Sequence, residues 1–281
     1  MYRRHGLGDV SYDTTGTGLA GQEPAMTDVP CNQCPLRALP LFVPYEPGDL
    51  ALIQSLKKRQ VGLRAGETII HEGQADAPLY TLFSGWAFRF KTLSDGRRQI
   101  LNFLLPGDFI GVQQKMTDAS PHGVEALSDV RLCVFQRDAL WELHRAAPSI
   151  GFDITWLAAQ EESLIDDNLL SVGRRSAEER IATLLILLFK RTAALLPNRG
   201  HNSGGNGGNG ATQGVPFPLT QQHIADSLGL SLVHTNKTLR KLERRGLHRV
   251  EGGELFLCDV HALARLADLY GDGKPSPRPL I

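Results

Sequence analysis

The chain has 281 residues, with 30 Lys/Arg balanced by 30 Asp/Glu and 42% apolar residues. That length accommodates two domains with their own cores, and these ordinary fractions exclude a fibrous or wholly disordered protein. No apolar run reaches the ~20 residues of a membrane span, the N-terminus lacks the apolar stretch of a secretion signal, and four cysteines in a chain this size do not make a disulfide scaffold; the expected compartment is the cytoplasm.

Residues 1–30 are rich in Gly, Thr and Asp without periodicity and are expected to be disordered, with Met26 a second candidate start. Cys31-Asn32-Gln33-Cys34 follows. A C-x2-C pair is half of a zinc site, a redox dithiol or part of an iron–sulfur ligand set. No second pair stands at zinc-finger spacing, so no closed metal site is favoured. Leu50, Ile53 and Leu56, continued by Lys57–Arg59, predict a short amphipathic helix within 41–60.

From Gln60 the period shortens. Gly62–Ile70, Leu79–Phe83, Trp86–Leu93, Gln99–Leu105, Asp108–Val112, Gly123–Leu127 and Arg131–Phe135 are strand-like runs. They are parted by turn signals such as Ser84-Gly85, Pro106-Gly107-Asp108 and Asp95-Gly96, the last a strong hairpin signal. Many short strands at this spacing predict an antiparallel sandwich or barrel. Residues 138–172 carry Ile150, Ile154, Leu157, Leu164, Ile165 and Leu169 near a 3.5-residue period, a long helix whose seam suits a dimer or a helix packed on its own domain. A second helix, Arg174–Leu196, opens on the capping box Ser176–Glu179, with Ser171–Gly173 before it as the expected hinge. Residues 198–214 read as a flexible Asn/Gly-rich insertion.

Leu219–Gly246 then reads as two helices joined at Gly229, with Thr220 and Ser231 as their N-caps. Lys237, Arg240, Lys241, Arg244, Arg245 and Arg249 outnumber Asp226 and Glu243, a local basic patch on a neutral chain. A polar-fronted second helix after a Gly turn is the helix-turn-helix arrangement, and the patch suits DNA phosphate. Leu247–Leu257 with Gly252-Gly253 predicts a wing hairpin, Val260–Leu269 a short helix, and 271–281 a Pro-rich tail.

The motifs Glu72-Gly73, Ser84-Gly85, Asp95-Gly96-Arg97 and Pro106-Gly107-Asp108-Phe109-Ile110-Gly111, ahead of this helix pair, resemble the Crp/Fnr transcription regulators over roughly residues 31–260. The resemblance implies an α+β fold: an antiparallel β-roll (cupin-like, cNMP-binding type) over 31–137, a dimerisation helix over 138–172, and a winged helix-turn-helix domain over 173–270. It also implies a homodimer on palindromic double-stranded DNA, with RNA polymerase as a further partner and no membrane contact. By this likeness Val233, His234, Asn236 and Lys237 read bases, Thr220, Gln222 and Ser231 anchor phosphates, and Arg240, Lys241 and Arg244 add charge. Family members often carry Glu and Arg where this chain has Val233 and Lys237, so its half-site is expected to differ.

The effector is left open. Cyclic-nucleotide members carry a Glu and an Arg-Ser pair after the G-D-x-x-G motif; here Val112-Gln113-Gln114 and Pro121-His122-Gly123 stand instead, so tight cyclic-nucleotide binding is not expected. An oxygen- or redox-sensing branch holds a [4Fe–4S] cluster through C-x2-C-x5-C and a late cysteine. Cys31, Cys34 and Cys133 match three of these positions, but Pro40 holds the other, so an outside, non-cysteine group, such as Glu46 or Asp49, would have to complete the set. An adaptor using the helix pair for protein contacts is the rival from another class. Enzyme motifs such as G-x-S-x-G, H-E-x-x-H, a P-loop or a dinucleotide fingerprint are absent.

Overall fold

The computed structural model describes residues 27–113, 119–196, 213–269 and 277–281. The insertion expected at 198–214 and the first 26 residues therefore lie almost wholly outside the described residues. Asp28 and Val29 hydrogen-bond to Gln60, at 2.8 and 3.0 Å, and are part of the ordered domain rather than of a disordered N-terminus.

Helix α1 spans Pro47–Leu56 and buries Ile53. It stops one residue before the basic run: Lys57–Arg59, expected to prolong the helix, instead open strand β1, Lys57–Leu63. The reason is pairing, since β1 lies antiparallel to the strand at 130–135 and Lys57 Nζ donates to the Val29 carbonyl at 2.6 Å. The expected run Gly62–Ile70 is likewise split, into β1 and β2 (Thr68–Ile70).

Strands β3 (Leu79–Ser84), β4 (Ala87–Thr92), β5 (Arg98–Leu104), β6 (Phe109–Ile110), β7 (Gly123–Ala126) and β8 (Val130–Phe135) complete a roll of two four-stranded sheets. Their orders are β1-β8-β3-β6 and β2-β7-β4-β5, with antiparallel pairing throughout. Asp95-Gly96 forms the β4–β5 hairpin, paired from Thr92–Arg98 to Ala87–Leu104 with a register shift between Arg89 and Phe90. Gly85 is required at its turn: φ is +84°, and an added Cβ would stand 2.1 Å from the Asp129 carbonyl oxygen. Ile70, Leu82, Val124 and Leu132 fill the space between the sheets.

The expected long helix from 138 is two helices, α2 (Ala139–Ala146) and α3 (Pro148–Arg174), because Pro148 has no N–H to continue the ladder. Helix α3 runs through the expected hinge at Ser171–Gly173 and ends at Arg174; Arg175 is extended, and Ser176 then caps α4, Ala177–Ala193. Ile150, Ile154 and Leu157 pack on the roll with Phe135 and Leu143. The part of the expected seam nearest the roll thus faces this chain's own domain. On the opposite face stand Phe152, Trp156, Ala159 and Ser163, at spacings of three and four, and Leu170 two turns further on. Phe152 is 70% exposed and Leu170 50%.

The second domain contains α4, β9 (Val215–Pro216), α5 (Gln221–Leu228), α6 (Leu232–Arg244), β10 (His248–Glu251), β11 (Glu254–Leu257) and α7 (Val260–Leu266). Its core, centred on Ile181, Leu185, Ile224, Leu242 and Leu255, is continuous with Trp86, Phe88 and Phe103 of the roll. The end of the Pro-rich tail is anchored. Arg278 bridges Phe42 of the roll, and its guanidinium meets Asp108 at 2.6 Å.

Candidate nucleic-acid interface and sensor roll

Local chemistry builds the helix pair as the sequence requires. Thr220 accepts from the His223 N–H at 3.2 Å while His223 Nδ1 accepts from the Thr220 N–H at 3.1 Å, a reciprocal cap. Gly229 ends α5 in the left-handed region at φ +63°. Ser231 accepts from the His234 N–H at 3.2 Å and starts α6. The wing, β10–β11, pairs from His248–Leu257 to Glu251–Glu254 and carries Arg249 over the Phe256 ring at 4.4 Å.

Helix α6 buries Thr235, Thr238 and Leu242. At 100° per residue, the direction opposite that stripe is occupied by Val233, Lys237, Arg240 and Arg244, all exposed. Val233 is the most exposed large apolar residue described, at 79%. What distinguishes the face is its charge: Lys237, Arg240 and Arg244 lie on it with no acidic residue among them, which suits an anionic partner.

The other residues singled out in the sequence fall around this face. Ser231 is exposed at the helix start, and Thr220 and Gln222 are exposed at the start of α5. Gln222 donates to Asp226 at 2.6 Å. His234 and Lys241 lie on the flank toward α4. Lys241 is ion-paired with Glu178 of α4, which also holds Arg245 at 2.9 Å. Asn236 is half-buried, and its Oδ1 has no hydrogen-bond partner among the described residues. Glu178 was missed from the sequence because its spacing to α6 depends wholly on tertiary packing.

Helix α5 is clamped to the roll. Arg98 of β5 meets Asp226 at 3.4 Å, Gln99 Nε2 donates to the Ser227 carbonyl at 3.0 Å, and the His223 ring lies 5.5 Å from Phe88. Burial and the Arg98 charge lower the His223 pKa, so the ring is neutral in this contact.

Inside the roll, Arg89 of β4 pairs with Glu161 of α3 at 2.9 Å, and Asn102 donates to the same carboxylate at 3.1 Å. Gln113 also donates to Glu161. His122 is buried nearby, its pKa pushed down to about 3 by burial, Arg89 and Lys91. Gln113 thus belongs to a polar cluster whose arginine already has a carboxylate, and His122 lies within reach of that arginine's charge.

Cys31, Cys34 and Cys133 do come together, lining one small pocket with Arg37, Lys57 and Gln60. Burial raises the Cys31 and Cys133 thiols above their ordinary pKa, outweighing Lys57, and Gln60 Nε2 donates to Cys133 Sγ at 3.2 Å. The donor set does not fit an iron–sulfur cluster. Neither Glu46 nor Asp49 lines the pocket, and no three His, Cys, Asp or Glu side chains among the described residues converge at metal-holding spacing.

A β-roll joined by a long helix to a winged helix-turn-helix, with an exposed basic reading face, defines a DNA-binding regulator. Residues 60–147 match the family model of the cyclic nucleotide-binding domain, and residues 179–266 that of the Crp-like helix-turn-helix domain. The nitrogen fixation regulation protein FixK of Bradyrhizobium diazoefficiens is 31% identical over 237 residues, covering 84% of this chain and 93% of that protein. The transcriptional activator protein FnrL of Cereibacter sphaeroides is 30% identical over 250 residues, covering 89% and 95%. The solved structure of FixK2 from Bradyrhizobium japonicum superposes with a TM-score of 0.62 at 26% identity, over 74% of this chain and 96% of that one. The chain belongs to the Crp/Fnr family and is a DNA-binding transcription regulator of that type. No helix among the described residues is long and apolar enough to cross a membrane.

Proposed function

We propose that two copies pair along α3 and place their α6 helices on the two halves of a palindromic site. The observation that carries this reading is the outward face of α6. Val233 and Lys237 lie at the N-terminal, base-approaching end, and Arg240 and Arg244 continue the same face toward the backbone. Val233 would meet a thymine methyl and Lys237 guanine O6/N7. His234 and Asn236 flank them; Ser231, Thr220 and Gln222 anchor phosphates, and Lys241 adds charge. The stripe Phe152–Trp156–Ala159–Ser163–Leu170 supports the pairing, because apolar groups at its ends stand in water unless a second α3 covers them.

The roll is the sensor domain, residues 31–137, and reports to α6 through α3 and the α5 clamp. Its effector is not a tightly held cyclic nucleotide, since Arg89 is already neutralised by Glu161. Calorimetric titration with cAMP or cGMP should give no stoichiometric micromolar binding. The naming of FnrL as a transcriptional activator supports RNA polymerase as a partner.

The test is a mobility-shift series with genomic fragments and competitor DNA. Retained preference for one palindromic site, with affinity falling as salt rises, supports the reading. Binding without sequence preference, or none, removes it in favour of a protein-contact role for the helix pair.

A further inference from the structure

We propose that Glu178 is a specificity-determining residue of the DNA interface: a fixed negative charge beside the reading helix that competes with DNA phosphates for Lys241 and Arg245. The inference rests on α6 being the DNA-reading helix.

Glu178 occupies the second position of α4, but starting that helix does not require it. The reciprocal cap is made by Ser176 and Glu179, with Glu179 Oε2 accepting from the Ser176 N–H at 2.7 Å. Glu178 is turned the other way, toward α6. Its Oε1 takes the Lys241 ammonium, and its Oε2 takes Arg245 Nη1 at 2.9 Å. With Ser231, Val233, His234 and Lys237 it lines one open concavity, so a carboxylate stands on the surface that faces DNA.

The charge arithmetic gives the consequence. Along α6 and its cap the cations are Lys237, Arg240, Lys241, Arg244 and Arg245, and Glu178 engages Lys241 and Arg245. Sequence-independent DNA affinity comes from cations exchanging counterions for phosphates, and each such contact steepens the salt dependence by about 0.9 in log–log slope. To use Lys241 or Arg245, a phosphate must displace a carboxylate already in place and then lie beside it. The outward residues Val233, Lys237, Arg240 and Arg244 make no ion pair with Glu178. A complex held in register by base contacts can leave Lys241 and Arg245 on Glu178. An unregistered complex depends on every cation it can reach. Glu178 therefore weakens random-sequence binding more than binding to the cognate site, and widens the ratio between them.

The experiment uses the full chain and two duplexes of equal length, one enriched by in vitro selection on the wild-type protein and one of random sequence. Affinity is measured by fluorescence anisotropy across a salt series. Glu178→Gln keeps the shape of the side chain and the Glu179 cap, and a thermal melt checks its fold. Random-sequence affinity at low salt should rise about tenfold and the log–log slope should steepen by about one to two. The selected duplex should change less than about threefold. The triple variant E178Q/K241A/R245A should return to the wild-type slope. An unchanged slope and random-sequence affinity in Glu178→Gln would overturn the inference, and so would equal weakening on both duplexes, which would make Glu178 a support for α6. A selection on the wild-type protein that enriches no sequence would instead remove α6 as the reading helix.

Discussion

Arg89 and Glu161 meet at 2.9 Å across the contact between the roll and α3, with both side chains largely removed from water. Burial raises the Glu161 pKa and lowers that of Arg89, each toward neutrality, while the partner's charge opposes the change. Asn102 and Gln113 complete the shell of the carboxylate. Removing one partner leaves a buried charge uncompensated, so Arg89→Ala or Glu161→Ala should each cost about 3–5 kcal/mol. The combined Arg89→Met, Glu161→Leu variant should regain most of that stability. Urea denaturation of the three variants measures both effects; a double variant no better than the singles would refute this balance.

The same region sets an acid limit. His122 is neutral in the native chain down to about pH 3, because burial and the adjacent Arg89 and Lys91 oppose its protonation. In the unfolded chain it protonates near pH 6.5. The native pKa is depressed, so the contribution is fully present above about pH 6.5 and is lost as pH falls toward 3, at up to about 1.4 kcal/mol per unit. His223 and His248, also lowered by burial, act in the same direction. Stability measured at pH 7.5 and pH 5 should fall less in His122→Gln than in wild type.

The clamp between α5 and the roll gives a third expectation. Arg98 is shared between Asp226 of α5 and Glu125 of β7, and stands over the Phe88 ring at 4.9 Å. Arg98→Ala should accelerate amide exchange in residues 221–228, leaving the wing at wild-type rates. Exchange mass spectrometry reads both; unaltered protection of α5 would show that Gln99 and Phe88 suffice to hold it.

What was legible in the sequence was local. Strand alternation, the Asp95-Gly96 hairpin, the caps at Ser176, Thr220 and Ser231 and the Gly229 turn depend on neighbouring residues, and the structure has each of them. Boundaries set by tertiary pairing were not legible. Lys57–Arg59 carry the helical pattern onward but are taken by the β8 strand, and the apolar period of α3 did not say that Ile150 and Ile154 face the roll. The Crp/Fnr resemblance supplied the domain order, but Glu178 on α6 and Arg278 on Asp108 join residues far apart in the chain, which no single-sequence period encodes.

The thiol pocket separates buried from exposed cysteine chemistry. Cys31 and Cys133 are held protonated at neutral pH by burial, whereas Cys258 is exposed. An aromatic disulfide reagent at pH 7 should label Cys258 first and the other two much more slowly, since the thiolate is the nucleophile. Protein isolated without oxygen should be colourless and free of iron. Stoichiometric iron with a visible charge-transfer band would show that the pocket reorganises around a cluster.

Val233 offers the sharpest test of what α6 reads. Its side chain stands in water with no acceptor, so against DNA it can contribute only an apolar contact such as that with a thymine methyl. Val233→Glu introduces an acceptor that suits cytosine N4, and one good base contact discriminates by about 1–3 kcal/mol. In a binding-site selection the preferred base at one symmetric pair of positions should change, with cytosine enriched there. The added charge also opposes phosphate generally, so random-sequence affinity should fall while the preference shifts. An unchanged preference with lowered affinity would place Val233 against the backbone and assign base reading to Lys237 and the residues beside it.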